Sequence, residues 1–497
     1  MEILSFMLWL LLPCLTLYLL FQLKRTKSSL RRLPPGPFPL PIFGNIFQLG
    51  DNPHRSLAKL AKTYGPLMTL QLGQITTVVI SSPDMAKEII QKNDLSFSNR
   101  FIPDSAHAFS HQEFSMPWLP VSTPWKNLRK ISNSYLFSIC RLDASRHLRQ
   151  KKVEELLSFV QRSCKACVAV DIGKVTFETT FNLMSNILCS MDFVELGSNS
   201  SNEYKEIIRG IAEEYGKPNF ADYFPILKIL DPQKIRHRMT IHMEKIMNLF
   251  NIAIDKRLEA KNSCSANAND VLDALINIMQ MNSQELERPY ITHLMIDLLV
   301  AGTDTTSSTI EWAMTELLRN PDKLKKAQAE LEEFIGRGNP VEEGNIATLS
   351  YLQSIVKETL RLHPPAPFLI PRKSAIDIEL CGFTVPMNAQ VLVNVWAIGR
   401  DVKFWENPNS FKPERFLESN INFKGQDFEL IPFGAGRRIC PGLPLAMRML
   451  PVILGSLVHS FNWKLQNGNN PDSMDMEEKF GITLQKVAPL CAIPISK

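Results

Sequence analysis

The chain has 497 residues, 45% of them hydrophobic and 21% charged, so it can bury a large core and is not a disordered or low-complexity polymer. Its formal charge of +5 is concentrated: Lys24, Arg25, Lys27, Arg31 and Arg32 stand against the single acid Glu2, which leaves about +1 for everything after Arg32. That excludes nucleic-acid binding by a basic body, and nine cysteines in an odd, unpatterned set exclude a disulfide framework and point to a reducing compartment.

From the N-terminus, Ile3 to Leu23 is apolar apart from Ser5, Thr16 and Gln22, long enough for one transmembrane helix. The basic cluster from Lys24 to Arg32 follows, which holds that side in the cytosol and directs the N-terminus to the lumen. The sequon at Asn199 would then stay unmodified. Prolines 34, 35, 37, 39 and 41 make the next stretch stiff and extended, so it cannot continue the helix. Three parts result: an anchor over 1–23, a basic and proline-rich hinge over 24–41, and one catalytic body over 42–497.

Within the body, the alternating run between Pro66 and Ser81 predicts a hairpin around Gly73. Helical periodicity predicts helices at Asp84 to Lys92, Ala144 to Phe159, Lys205 to Tyr215, Ile241 to Ala260 and Leu324 to Ile335. Trp125 and Arg129 fall one turn apart at the start of another. Short strands are expected near Ile378 to Val385, Gln390 to Val393 and Thr483 to Ile493. The class is mainly α with small β-sheets. Cys164 and Cys167, with no second pair and Val168 after them, read as ordinary residues at a helix end, and Ala260 to Asp270 as a surface loop.

The longest apolar helical run, Pro289 to Arg319, would extend about 45 Å. It contains Ala301-Gly-Thr-Asp-Thr-Thr306, where Gly302 and hydroxyls bonding back to carbonyls are expected to weaken the ladder. Glu358 and Arg361 lie one turn apart on an apolar helix, with Pro413-Glu-Arg-Phe416 some fifty residues on. His363, before two prolines, reads as a packing residue. Last comes Phe433-Gly-Ala-Gly-Arg-Arg-Ile-Cys-Pro-Gly442. Small residues let its backbone approach a bound group, and Arg437, Arg438 and the following helix N-terminus would favour a thiolate at Cys440. A dinucleotide loop is excluded because Ile439 occupies the third glycine position.

Phe433, Gly436, Arg438, Cys440 and Gly442 have the spacing of the haem loop of the cytochrome P-450 family, which the chain resembles from its anchor to Thr483. The resemblance implies the P-450 fold with haem b (iron protoporphyrin IX) and Cys440 as axial ligand of the iron. It implies further that Thr305 is the hydroxyl on the oxygen side and Asp304 the acid linked to solvent. Trp125, Arg129, Arg372, Phe433 and Arg438 become haem contacts, and Glu358, Arg361 and Arg415 form a buried structural network. The pocket would draw on Phe109, Phe114, Leu298, Ala301, Phe368, Leu369 and Ile482. No flavin or nicotinamide fold can be placed, so electrons from NADPH would arrive through a separate reductase, docking near Lys126, Arg129, Lys130 and Arg437.

A narrower resemblance, in Leu57 to Pro66, Ala301 to Lys323, Glu429 to Ala446 and Asp475 to Gln485, is to the plant geraniol 8-hydroxylase group. It implies a single-pass enzyme of the endoplasmic reticulum, with a cytosolic domain, that hydroxylates a terpenoid such as a monoterpenol. Diterpenes and phenolics are the alternative substrates, and a haem-thiolate isomerase or dehydratase the alternative chemistry. Phe101 to Ser115, which would roof the site, departs from that group's pattern.

Overall fold

The structure, a computed structural model, describes residues 32–198, 200–262, 270–281, 286–466 and 471–497. The anchor, the sequon asparagine and most of the 260–270 loop fall outside these residues. The proline-rich stretch is described from Arg32, and it runs beside the first strand, where Thr69 N–H donates to the Pro35 carbonyl at 2.9 Å.

Helices dominate, and the long one, Arg288–Arg319, is their axis. Its 32 residues are buried on nearly every side, and it packs most extensively on Ile172–Cys189. Gly302 permits that approach: a Cβ there would fall 2.8 Å from the sulfur of Met184. This corrects the expectation that Gly302 serves to weaken the helix, which runs unbroken. Ser200–Gly216, Ile235–Asn262, Ser350–Leu362 and Leu443–Ser460 surround it. Among the described residues, Leu443–Ser460 is the helix long and apolar enough to cross a membrane, but it is two-thirds buried and forms core.

The hairpin is β1 (Leu67–Leu72) and β2 (Ile75–Ile80). They join β3 (Asn99–Arg100), β5 (Arg372–Lys373) and β8 (Gln390–Val393) in the order β1-β2-β8-β5-β3, with β2 and β8 parallel. β4 (Val170–Asp171) pairs with β12 (Cys491–Ser496), which also pairs with β9 (Phe461–Leu465). The run from Ile378 is not one strand. It folds back as β6 (Ile378–Leu380) and β7 (Phe383–Val385) around Cys381 and Gly382, both at positive φ. The run from Thr483 holds only β11 (Gln485–Lys486) before β12, and β11 pairs with β10 (Glu478–Lys479). The helix begun at Asp84 ends in a π turn over Glu88–Lys92.

Candidate active site

Cys440 lies at the end of a tight loop whose N–H···O bond from Cys440 to the Phe433 carbonyl measures 2.9 Å. Gly436, at φ +67°, lets the loop pass the Ile90 carbonyl, which an added Cβ would meet at 2.6 Å. Burial pushes the Cys440 thiol up, while the backbone N–H groups of Gly442 and Leu443 and the Arg129 guanidinium oppose it. The helix N-terminus therefore does face the sulfur, as expected. The neighbouring arginines do not supply its charge: Arg437 is exposed and paired with Asp94, and Arg438 turns into the core. The cation acting on the sulfur comes from the helix Thr123–Tyr135 instead.

Arg438 donates to the carbonyls of Ser98 (2.9 Å) and Leu119 (2.5 Å), with its guanidinium 4.8 Å over the Trp125 ring. Arg372 donates to the Phe97 carbonyl at 3.1 Å and approaches Asp94 no closer than 3.8 Å. Sequence reasoning missed a third cation, Arg100, an isolated arginine outside every motif. Sheet register sets it directly across from Arg372. Burial, and then the other two guanidiniums, hold Arg100 well below the ordinary arginine range. Burial likewise brings Arg372 down to about 10 and Arg438 to about 9. Like charges opposed across strands are unfavourable, and Arg372 Nε has no hydrogen-bond partner among the described residues. Such a cluster fits a buried dianion, which the two propionates of haem supply.

On the long helix, Ala301 is exposed and Thr305 half-buried among mostly buried neighbours. Thr305 Oγ1 donates to the Ala301 carbonyl at 2.7 Å. Asp304 is 2% exposed, so it does not open to solvent; Gln485 Nε2 donates to both its oxygens, at 2.8 and 3.0 Å. Burial pushes its carboxyl up, against Arg209 and the donors Thr483 and Gln485. Gln485 was also missed, and its one signal is an amide in the apolar run Phe-Gly-Ile-Thr-Leu-Gln.

Glu358, Arg361 and Arg415 come together in the interior. Arg361 donates to Glu358 through Nε (2.7 Å) and Nη2 (2.8 Å), and Arg415 Nε adds 3.0 Å. Arg361 also clamps the carbonyls of Gly399 and Pro408, on the chain leading toward the cysteine loop. His363 stacks on Trp312 with centroids 3.9 Å apart and bonds Glu316 at 2.8 Å.

An apolar cleft lies between the first sheet and the helices, lined by Phe101, Trp118, Tyr215, Phe368, Leu369 and Ile482 among others. Cys440 and Thr305 do not line it; it reaches the cysteine loop through Leu369, whose Cδ1 would be 3.7 Å from a Cβ at Gly434. Leu298 is buried on the long helix. Of the expected pocket residues, Phe368, Leu369 and Ile482 line this cleft, and Leu298, Ala301, Phe109 and Phe114 do not. Phe109 is 42% exposed in a kinked surface turn, and Phe114 packs on Tyr290 and His293, at the far end of the long helix from Thr305. The backbone kinks at Phe109 and Ser110, both at positive φ, and beyond the kink His111 and Ser115 are buried, with Ser115 Oγ donating to Asp297 of the long helix at 2.8 Å.

The family model for cytochrome P450 matches residues 34–490. The chain belongs to the cytochrome P450 family. It is 54% identical over 486 residues to geraniol 8-hydroxylase of Catharanthus roseus, covering 97% of this chain and 98% of that one. The corresponding enzyme of Swertia mussotii is 55% identical over 479 residues, 96% of both chains. Drimenol monooxygenase of Persicaria hydropiper is 52% identical over 471 residues, 95% of this chain and 94% of that one. This P450 is accordingly a monooxygenase with haem as its cofactor, and the three-arginine cluster fits that group.

Proposed function

We propose that this P450 hydroxylates a C–H bond of a small terpenoid, a monoterpenol in the first instance, with electrons from NADPH delivered by a separate reductase. The observation that carries the reading is the aromatic and aliphatic cleft ending on Leu369 beside the cysteine loop, which suits a compact lipophile. Two relatives above half identity are named for geraniol and one for drimenol. Bound haem supplies the iron at which dioxygen is reduced and one oxygen atom is passed to the substrate. In this reading Cys440 is the thiolate ligand, Arg100, Arg372 and Arg438 hold the propionates, and Trp125 stacks beneath Arg438. Arg129 stabilises negative charge on the sulfur. Thr305 places a hydroxyl, and Asp304 a proton donor, on the opposite side.

Lys126 and Lys130 are exposed on the helix that carries Arg129, which supports an acidic reductase docking there, whereas Asp94 offsets the charge of Arg437. Residues 1–23 are proposed as the endoplasmic-reticulum anchor, 24–41 as the hinge and 42–497 as the cytosolic haem-thiolate domain. The Phe43 ring meets those of Phe47 and Phe224, and Phe47 is 64% exposed, which supports contact with membrane lipid close to the start of the described chain. The test is full-length protein in microsomes with reductase and NADPH, offered geraniol, drimenol, a diterpene and a phenolic. Hydroxylated monoterpenol is expected. Turnover of the phenolic alone would refute the substrate class, and a ferrous carbon monoxide complex lacking the thiolate red shift would refute the ligand.

A further inference from the structure

The segment from Glu478 to Lys486 is fastened at both ends and reaches two sites. Its base is β10 paired with β11, Glu478 opposite Lys486 and Lys479 opposite Gln485. Glu478 is buried and receives His54 Nε2 at 3.0 Å, Arg55 Nε at 2.8 Å and Trp396 Nε1 at 3.2 Å. Its tip, Phe480, Gly481 and Ile482, lines the substrate cleft. Three residues later, Gln485 grips both oxygens of Asp304 on the long helix. Little slack separates the two: Leu484 N–H donates to the Pro365 carbonyl at 2.7 Å, and Ser308 Oγ donates to the Leu484 carbonyl at 2.8 Å. On the other side Ile482 N–H donates to the Ala212 carbonyl at 3.0 Å, and a Cβ at Gly216 would fall 2.2 Å from the Gly481 backbone.

We propose that Gln485 is a positioning residue through which this hairpin couples occupancy of the substrate cleft to the protonation and orientation of Asp304. The proposal rests on the reading of Asp304 as the proton donor. An amide that donates to both carboxylate oxygens favours the ionised form and fixes its plane, so a ligand pressing on Phe480 or Ile482 displaces the donor along a short, hydrogen-bonded path. The other groups facing Asp304 are Thr483 from the same hairpin and, from the helix Ser200–Gly216, Arg209, which favours its charge, and Glu213, which opposes it. Glu213 is itself paired with Lys479 of the hairpin. The charged groups acting on Asp304 named here therefore sit on the helix against which the hairpin packs, and Thr483 and Gln485 sit on the hairpin itself.

The test compares wild type with Gln485→Leu, Gln485→Asn and Asp304→Asn as haem-loaded full-length proteins. Infrared difference spectra of resting enzyme, with and without geraniol and with labelled aspartate, read the carboxyl without turnover. Wild type should show an aspartate carboxyl band that changes on geraniol binding, absent in Asp304→Asn and insensitive to ligand in Gln485→Leu. In turnover, Gln485→Leu should waste NADPH as peroxide or water about tenfold more often, since a correctly placed general acid contributes about 10²–10⁴ in rate. Its pH profile should move to higher pH, because the lost donor no longer favours the carboxylate. Gln485→Asn, with a shorter amide, should restore part of both. A ligand-sensitive aspartate band in Gln485→Leu, or unchanged coupling and pH profile, overturns the proposal. Normal coupling in Asp304→Asn overturns instead the assignment of Asp304 as the acid.

Discussion

Glu358→Ala removes the hub of the most deeply buried ion network in the site's support. Glu358 and Arg361 side chains are 0% exposed and Arg415 only 9%. The substitution deletes two bonds from Arg361, one from Arg415 and the 2.7 Å bond from the Lys412 N–H, leaving two guanidiniums without their carboxylate. Removing one partner of a buried pair typically costs about 3–5 kcal/mol, because the remaining charge stays desolvated. Against a net stability on the order of 5–15 kcal/mol, that is enough to depopulate the folded chain. Arg361 would also lose the orientation with which it holds the Gly399 and Pro408 carbonyls, so the approach to the cysteine loop loosens. Haem per polypeptide, measured by pigment extraction, should fall severalfold and the unfolding midpoint with it. Glu358→Gln, which keeps one acceptor oxygen, should be intermediate. One haem per chain and an unchanged midpoint in Glu358→Ala would refute the reasoning.

Arg100→Leu should speed haem transfer to an acceptor apoprotein by about tenfold or more, as loss of a charge-assisted bond of about 1.5–3 kcal/mol requires. In the haem-free protein the same change relieves repulsion from Arg372 and Arg438 but deletes the bonds to the Ile370 and Pro117 carbonyls, so its effect on stability there should be smaller than its effect on haem retention; an unchanged transfer rate would count against the propionate assignment. Gly436→Ala must put a side chain at φ +67° and within 2.6 Å of the Ile90 carbonyl. It should cost at least about 1–2 kcal/mol in the unfolding equilibrium of the haem-loaded protein. At Glu478 burial opposes ionisation, yet the His363 and His54 imidazoles hold its carboxyl well below the carboxylate range. A depressed carboxyl stabilises above its unfolded value and loses that contribution as pH falls. Burial also lowers His54, so its protonation adds to the loss as pH falls below its unfolded value. Wild-type unfolding midpoints should therefore drop as pH falls below about 6.5, where His54 is protonated, and drop further below about 4.3, where Glu478 begins to lose its contribution; Glu478→Gln should flatten the slope below about pH 4.3 only, and parallel curves there would refute this.

Local rules carried much of the architecture into the sequence. The β1 and β2 hairpin follows from alternation around Gly73, and the long helix from its apolar periodicity, since both depend on contacts between near neighbours. The cysteine loop was legible because glycine at fixed spacings, a cysteine and a helix start are all local features. So was the pairing of Glu358 with Arg361, which one helical turn imposes.

What the tertiary structure alone decided are the contacts between distant segments. Register between β3 and β5 sets Arg100 across from Arg372, 272 positions along the chain, and no spacing rule reaches that far. Gln485 meets Asp304 across 181 positions because β10 and β11 turn back onto the long helix. The charge near Cys440 comes from Arg129, while the adjacent Arg437 is drawn off to Asp94, so proximity in sequence misassigned it. Phe114 lies outside the cleft for the same kind of reason, since it packs on Tyr290 and His293 of the long helix, far along the chain from it. The sequence by itself determined the local motifs, namely the cysteine loop, the long helix and the Glu358–Arg361 pair. Folding determined which side chains those motifs meet, because burial, charge and strand register act between parts of the chain that have no local knowledge of one another.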